Sequence, residues 1–329
     1  MLRRTLPPHD YRFMTAGSPS VPSSDVVSPT VLLGVDVGGS HTAAAISRAD
    51  FIVLSRAEGP GVPMRSGGAS QTAAAIAEVA ARAARVAGVT LPVDRAMVGA
   101  AGAGRAMERR ELKQALAAHG VARSFEVVAD GEIALAAAFG TEAGILVNAG
   151  TGSIAYARDR HGRLRRSGGY GWQLSDEGGG YWIGRRALSA AAKARDGGGD
   201  GGALLARLLP ALKLHEFDDL VRWAASADPA HIAALASHVM SAAATGDPAA
   251  LRITEDAAAE LVSLVQVVEP MFAPDDPLPI AAAGGLLRTG SPLLDAFKVR
   301  LEAALPRARL REVTVDAPLG ALRLAAELT

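Results

Sequence analysis

The chain has 329 residues, of which 49% are hydrophobic and 21% are charged, and its formal net charge is zero. This length exceeds the size at which a single hydrophobic core keeps growing, so two domains are expected. Zero net charge disfavours a broad contact surface for nucleic acid or anionic membranes, and no apolar run is long enough to predict a membrane-spanning helix. The sequence contains no cysteine, which excludes disulfides, iron–sulfur clusters, cysteine-ligated zinc and thiol nucleophiles.

Residues 1–29 are rich in proline and serine and lack the apolar segment of a secretory signal. This composition predicts a flexible tail, with Met14 as an alternative start of translation. Without an export signal, a cytoplasmic protein is expected.

The first half of the chain alternates the patterns of strands and helices. The predicted elements are strands at 31–37, 43–47 and 51–55, a helix at 71–88, a strand from 95 that runs into a glycine loop ending at 104, a helix at 108–120, a strand at 125–130 and a helix at 131–140. Gly88 and Gly120 end the two longer helical patterns, as capping glycines commonly do.

Residues 36–42, Asp-Val-Gly-Gly-Ser-His-Thr, connect the first two predicted strands. Glycines let backbone N–H groups approach phosphate oxygens, and Asp36 is the type of residue that holds Mg²⁺ through water. An ordinary Gly-Gly hairpin fits the same residues when they are taken alone. The expected phosphate contacts are Gly38, Gly39, Ser40 and Thr42.

The second half starts the same cycle again. Residues 144–159 are strand, glycine turn and strand, and 163–169 continue the meander. The predicted elements that follow are helices at 181–196, 204–214, 217–226, 230–246 and 248–272, a strand at 279–284, a helix at 292–305, and strand, Pro-Leu-Gly turn and helix over 313–328. Two similar halves that each open with a glycine hairpin predict a duplicated α/β fold around a cleft, with domains at 30–141 and 142–329 and a helix-enriched second domain.

Two other segments are given structural interpretations. The run Gly-Gly-Gly-Asp-Gly-Gly at 197–202 matches a dinucleotide-binding spacing, but it follows a helix rather than a strand, so it is interpreted as a flexible insertion. The arginine-rich stretch 158–166 is interpreted as a solvated hairpin.

Six motifs occur in a characteristic order, at 36–42, 127–137, 148–157, 168–184, 281–287 and 317–325. This order resembles the BadF/BadG/BcrA/BcrD-type ATPases of the actin-like ATPase and sugar-kinase superfamily, and within them the N-acetylglucosamine kinase-like branch. The resemblance covers residues 31–328. It implies two ribonuclease-H-like domains that close over ATP and a sugar, and an ATP-dependent amino-sugar kinase acting on a sugar hydroxyl, expected to be the 6-hydroxyl of N-acetylglucosamine or glucosamine.

The resemblance also implies roles for individual residues. Asp36 lies near Mg²⁺, and Asp130 accepts the proton of the sugar hydroxyl, although an aspartate there also suits the N-cap of the following helix. The implied nucleotide contacts are the first hairpin together with Gly150, Thr151, Gly152 and Ser153 of the second and the adenosine-side Gly284 and Gly285. The implied sugar contacts are Asp130, Gly169, Tyr170, Gly171 and Asp176.

Two positions depart from the pattern of the resembling kinases. Val62 occupies the place of a sugar-binding asparagine, and Tyr170 replaces a tryptophan. Because specificity depends on satisfied buried polar groups, the choice among N-acetylglucosamine, glucosamine and N-acetylmuramic acid stays open.

Other classes fit less well. Activator ATPases of 2-hydroxyacyl-CoA dehydratases and ROK-type kinases use cysteines that this chain lacks, and a P-loop run GxxxxGK[ST] does not occur. A non-catalytic nucleotide-dependent regulator or ATPase of the same fold remains the alternative. A homodimer is compatible with the helix-rich second half.

Overall fold

The computed structural model describes residues 30–329, so the predicted tail at 1–29 lies outside the described residues. The first half forms β1 Val31–Val37, β2 His41–Arg48, β3 Val53–Pro60, α1 Ala69–Ala87, β4 Val93–Ala100, α2 Ala106–Ala117, β5 Ala122–Ala129 and α3 Asp130–Phe139.

The second half follows with a larger helical insertion. Its elements are β6 Gly144–Ala149, β7 Ser153–Arg158, β8 Leu164–Gly168, α4 Gly180–Arg195, α5 Gly202–Ala211, α6 Phe217–Ser226, α7 Pro229–Ala244, α8 Pro248–Val268, β9 Leu278–Ala283, α9 Pro292–Ala304, β10 Ala308–Arg311 and α10 Ala317–Ala326. Single 3₁₀ turns follow α8 and β9.

The two halves share one sheet topology. The first sheet has the order β3-β2-β1-β4-β5, and the second has β8-β7-β6-β9-β10. In each, the first three strands are antiparallel neighbours and the last two run parallel to the first. The predicted duplicated α/β fold is therefore confirmed.

Strand alternation divides the core of the first sheet between its two faces. Leu33 and Val35 of β1 pack with α1 and α2 on one face. Leu32, one residue away, joins the buried cluster on the other face with Ala321 and Leu322 of α10. The second sheet has the same division between its faces. Ile145 of β6 packs in the large helical core, and the next residue, Leu146, packs on α3.

The helices that follow the fifth strand of each half pack across to the other sheet, although Ile133 of α3 also packs on the first sheet. Leu135 and Phe139 of α3 pack on Leu146 and Ala281 of the second sheet, whereas α10 packs on the first sheet. The chain thus passes from the first sheet to the second through α3, and returns to the first sheet at 312–316. By packing, the last helix belongs with the first sheet, whereas the predicted division assigned all of 142–329 to the second domain.

Glycines allow the close approach of α10. A β-carbon at Gly34 of β1 would lie 2.3 Å from the carbonyl oxygen of Pro318, and one at Gly320 would lie 1.9 Å from that of Ile133 in α3. Larger residues at either position would push α10 away from its neighbours.

The prediction for 313–328 was wrong in detail. The strand is Ala308–Arg311, and the Pro-Leu-Gly sequence lies inside the first turn of α10. Asp316 is the N-cap and its carboxylate accepts from the Leu319 N–H at 3.2 Å. An aspartate followed closely by proline is a helix start, because proline fits the first turn of a helix.

The third strand also differs from its prediction. It runs from Val53 to Pro60 against β2, while Phe51 and Ile52 are exposed in the preceding turn. Backbone pairing with β2 extends through polar residues that an apolar pattern does not mark.

Candidate active site

A cleft of about 1230 Å³ lies between the two sheets, at the ends of β1 and β6. Of the residues predicted for the site, those that line this cleft are Asp36, Gly38, Gly39, Ser40, Asp130, Gly150, Thr151, Gly152, Ser153, Gly169, Tyr170, Gly171, Asp176, Gly284 and Gly285. The topology explains this convergence, since the corresponding hairpins of the duplicated halves open towards each other.

The first glycine hairpin connects β1 and β2. The Gly38 N–H donates to the His41 carbonyl oxygen at 2.9 Å, and Gly39 and Ser40 are exposed at the tip. The Ser40 hydroxyl lies 3.2 Å from Nδ1 of His41. His41, which the sequence analysis did not select, therefore lines the cleft beside the predicted phosphate donors.

Thr42 does not take the predicted position. It is fully buried, and its hydroxyl donates to the Pro60 carbonyl oxygen at 2.9 Å, which ties β2 to β3. His41 and Thr42 are consecutive residues of β2, so their side chains point to opposite faces of the sheet. The sequence spacing alone did not indicate which of the two faces the cleft.

The second glycine hairpin connects β6 and β7 and is fastened to the start of α4. The Gly180 and Tyr181 N–H groups donate to the carbonyl oxygens of Gly150 and Thr151 at 2.8 and 2.9 Å. The Ser153 hydroxyl donates to the Glu177 carbonyl oxygen at 2.6 Å. Thr151 is exposed, so its hydroxyl and the backbone are the groups that this hairpin presents to the cleft.

Glu177 lies in the turn before α4 rather than in the helix. Gly179 is the N-cap and α4 begins at Gly180. The turn before the helix instead brings the Glu177 backbone to Ser153.

Asp36, at the end of β1, and Asp130, at the start of α3, are close enough to influence each other. Burial, reinforced by the charge of Asp130, raises the pKa of Asp36 to about 6, although His41 opposes the shift. Burial likewise raises the pKa of Asp130, against the opposing effects of backbone N–H groups and of Arg166. Two desolvated carboxylates at the base of an open cleft repel each other, and a cation between them would relieve this.

Asp130 is the first residue of α3 rather than its N-cap. Ala129 is the N-cap, and its N–H donates to the Glu132 carboxylate at 3.2 Å. The carboxylate of Asp130 accepts from the Gly131 N–H at 2.9 Å. The alternative capping role is therefore taken by Glu132, and the Asp130 carboxylate lies in the cleft.

Tyr156 of β7 supports this part of the cleft. Its ring packs on Gly131, where a β-carbon would lie 1.8 Å from Cε2. Burial and the charge of Asp130 raise the pKa of the Tyr156 phenol, which is hydrogen-bonded to Arg166.

Asp176 joins the second hairpin to the predicted sugar loop. It has a left-handed backbone with φ of 74°, and its carboxylate lies so close to Gly152 that a β-carbon there would be 2.2 Å from Oδ2. Burial raises the pKa of Asp176, while hydrogen bonds from the Gly171 and Ser153 N–H groups oppose the shift. These contacts give Asp176 a positioning role in addition to any contact with substrate.

The loop that follows β8 lies at one end of the cleft. Gly169 and Gly171 have positive φ, and Tyr170 between them is 56% exposed. The ring of Trp172 instead packs on Tyr181, with centroids 4.9 Å apart. Tyr170 is thus the aromatic side chain of this loop that lines the cleft.

Gly284 and Gly285, which follow β9, also line the cleft. Gly284 has φ of 90°, and a β-carbon there would lie 2.3 Å from the Ala149 carbonyl oxygen. Arg288 and Lys298 follow on the adjoining turn and helix and also line the cleft. Val62, one of the two departures, does not line the cleft, whereas its neighbour Pro63 does.

Arg166 is the principal cleft residue that the sequence analysis missed. The stretch 158–166 was interpreted as a solvated hairpin, which fits Arg165 because it is exposed. Arg166, however, pairs with Tyr156 across β7 and β8 and lines the cleft. Alternate side chains of a strand face the same side of the sheet. Counting along β8 from the register with Tyr156 would have indicated that Arg166 faces the cleft.

Two properties of residues 30–329 concern membranes and metals. Within this range no helix is both long and apolar enough to cross a membrane. Nor does this part of the chain group three or more histidine, cysteine, aspartate or glutamate side chains as metal ligands.

Comparison with known proteins identifies the relatives of this two-sheet, cleft-forming fold. The sequence model of the BadF/BadG/BcrA/BcrD ATPase family matches residues 33–325. The chain is 33% identical over 299 residues to an N-acetylmuramic acid/N-acetylglucosamine kinase of Clostridium acetobutylicum, covering 89% of this chain and 97% of the relative. It is 29% identical to an N-acetyl-D-glucosamine kinase of Dictyostelium discoideum, covering 91% and 98%.

A solved structure from Chromobacterium violaceum, described as a candidate N-acetylglucosamine kinase, superposes with a TM-score of 0.73 at 26% identity, covering 90% of this chain and 99% of that one. The chain belongs to the BadF/BadG/BcrA/BcrD ATPase family, which confirms the predicted family.

Proposed function

We propose that this protein is an ATP-dependent amino-sugar kinase, which transfers the γ-phosphoryl group of ATP to a sugar hydroxyl. The observation that carries the proposal is the position of Asp130, which lies in the cleft between the two glycine hairpins and beside Asp36. The names of the Clostridium and Dictyostelium relatives support the same reaction class.

The two hairpins supply the groups that phosphates require. Exposed backbone at Gly39 and hydroxyls of Ser40 and Thr151 line the cleft from opposite sides. Phosphoryl transfer depends mainly on positioning and charge stabilisation, so a cradle of donors on both sides suits the β- and γ-phosphates. Gly284 and Gly285 line the same cleft after β9 and are the residues that we assign to the adenosine.

The residues present also fit Mg²⁺. Asp36 and Asp130 are carboxylates whose mutual repulsion a cation would relieve, and Mg²⁺ is commonly held by one or two carboxylates, substrate phosphates and water. Mg²⁺ bound there would neutralise charge on the phosphates. Asp36, at the strand end nearest the first hairpin, is the residue to hold it.

Asp130 acts as the base. Its carboxylate accepts the hydroxyl proton of the sugar while that oxygen bonds to the γ-phosphorus, the bond to the β-phosphate oxygen breaks, and ADP leaves. A raised pKa brings a carboxylate closer to the range in which proton transfer at neutral pH is effective. The predicted position of transfer is the 6-hydroxyl, and the use of ATP supports the predicted cytoplasmic location. The homodimer stays a prediction.

The test is a coupled assay of ADP release with purified protein, Mg²⁺-ATP and a panel of sugars, with the phosphorylated product identified by mass spectrometry and NMR. Asp130→Asn should lower kcat by about 100-fold or more, since a positioned base contributes about 10²–10⁴-fold. Asp218→Asn, at an exposed position of α6, is the matched control and should keep full activity. ATP hydrolysis without sugar phosphorylation across the panel would overturn the proposal in favour of an ATPase or a nucleotide-dependent regulator.

A further inference from the structure

The guanidinium of Arg166 occupies the end of the cleft that holds the predicted sugar loop. It lies over the ring of Tyr170, 4.9 Å from the centroid, and is hydrogen-bonded to the Tyr156 phenol. Its Nη1 reaches across to the other half of the molecule, where a β-carbon at Gly104 would be 2.7 Å away. Two aromatic side chains therefore hold this cation at one place beside Asp130.

In having no ion pair, Arg166 differs from Arg105 and Arg311 of the cleft, although Arg288 and Lys298 also have none among residues 30–329. Arg105 pairs with Glu108 at 2.8 Å and Arg311 with Glu142 at 3.1 Å, whereas no ion pair among residues 30–329 includes Arg166. Arg288 and Lys298 line the cleft from the segment that follows Gly284, at the proposed nucleotide end.

The charges around the sugar end make an anionic group on the substrate the natural partner of Arg166. Asp130 and Asp176 both line the cleft and would repel a carboxylate bound near them unless a cation offsets them. A guanidinium presents parallel N–H donors that match a carboxylate in a bidentate arrangement.

We propose that Arg166 is a specificity-determining residue that binds a carboxylate on the substrate, so that this kinase accepts amino sugars carrying a carboxylate substituent. The inference rests on the proposed kinase function and names its substrate class. N-acetylmuramic acid is the probe, because it is N-acetylglucosamine with a lactyl ether that ends in a carboxylate. The two sugars share the 6-hydroxyl and the acetamido group, and differ in this one anionic arm.

The experiment measures kcat and KM for both sugars with the unmodified protein, Arg166→Gln and Arg166→Lys. Loss of the guanidinium should raise KM for N-acetylmuramic acid by about 10- to 100-fold, since a charge-assisted hydrogen bond is lost, and should raise KM for N-acetylglucosamine much less, so that the ratio of the two KM values changes. Arg166→Lys should recover part of the affinity, because it keeps the charge without the bidentate fork. Arg165→Gln, on the exposed face of the same strand, is the matched control and should change neither sugar.

The possible failures have separate signatures. If kcat falls alike for both sugars at unchanged KM, Arg166 acts on the transferring phosphoryl group and the inference is wrong. If both sugars lose activity and the pH profile with N-acetylglucosamine shifts, Arg166 only sets the charge state of Asp130, and the inference is again wrong. If the unmodified protein phosphorylates N-acetylglucosamine but not N-acetylmuramic acid, the inference fails while the kinase function stands. If it phosphorylates no sugar, the kinase function itself fails.

Discussion

Gly131 and Tyr156 are in direct contact across the two halves of the molecule, with the tyrosine ring lying where a side chain at position 131 would be. A β-carbon there would be 1.8 Å from Cε2 and 2.0 Å from Cδ2. Because Gly131 follows Asp130 directly, this contact fixes the start of α3 and with it the carboxylate proposed as the base.

Gly131→Ala should therefore lower kcat by about 10-fold or more and destabilise the protein by about 1–3 kcal/mol, the usual cost of overpacking. Steady-state kinetics and chemical denaturation measure the two effects. Gly202→Ala is the control, because a β-carbon at the start of α5 meets nothing within 4 Å, and it should be nearly neutral. Wild-type kinetics in the Gly131 variant would show that the contact does not position Asp130.

The raised pKa of Asp36 makes the stability of the ligand-free protein depend on pH. Its pKa is 3.8 ordinarily and about 6 in the folded protein, so folding favours the protonated form. The stabilisation is present below about pH 4 and is lost as pH rises through about 6. Over that interval the free energy of unfolding should fall by about 3 kcal/mol on account of this group, at about 1.4 kcal/mol per pKa unit.

Asp36→Asn removes this dependence. We expect the variant to be more stable than the unmodified protein at pH 8 by about 2–3 kcal/mol, with the difference shrinking towards zero at pH 4. Denaturant unfolding at several pH values, without Mg²⁺ or nucleotide, measures it. Equal stability of the two proteins at pH 8 would contradict the buried, repelled state of Asp36.

Asp176 contacts both the second glycine hairpin and the loop after β8. We therefore expect its substitution to affect the KM values of both ATP and the sugar. Asp176→Asn keeps the shape and tolerates the left-handed backbone, but it weakens the hydrogen bonds from the Ser153 and Gly171 N–H groups. We expect KM to rise about 3- to 10-fold for ATP as well as for the sugar, in line with the weakening of hydrogen bonds to a charged acceptor. An increase confined to the sugar KM would instead assign Asp176 to sugar contact alone.

Asp316 fastens the last helix to the first sheet. Although burial opposes it, the hydrogen bond and charge of Arg56 lower the pKa of Asp316; the ion pair is 2.5 Å long, and the same carboxylate caps α10. Asp316→Ala should lower the free energy of unfolding by about 1–2 kcal/mol, mainly because the helix cap is lost. Asp295→Ala is the control: Asp295 is exposed in the first turn of α9, and its loss should cost less than about 0.5 kcal/mol. Thermal or denaturant unfolding of the two variants separates these cases.

Local pattern and turn chemistry were sufficient to predict most of the fold. The two glycine hairpins predicted the duplication, and the two sheets have the same strand order. The helix at Phe217–Ser226 has the predicted bounds. The strand predicted at 313 failed because a short apolar alternation resembles a strand, whereas Asp316 followed by proline is the stronger local signal.

The site was predicted less completely because its remaining features depend on tertiary contacts. Ser40 and Thr42 are both hydroxyl residues of one hairpin, yet only the contact with Pro60 shows that Thr42 faces inward. Arg166 is one of several arginines in the stretch 158–166. Its position in the cleft follows from its contacts with Tyr156 and Tyr170, which form only when β7 and β8 pair. The packing of α10 on the first sheet is likewise a long-range contact without a local sequence signature.

The two crossings of the chain between the sheets constrain how the cleft can open. Because α3 packs on both sheets and α10 returns to the first sheet, a relative movement of the two sheets must be accommodated around α3 and in the segment 312–316. The ion pair between Arg311 and Glu142 lies at the edge of both connections and holds them side by side. Any opening of the cleft at these connections must therefore either keep this exposed ion pair together or break it.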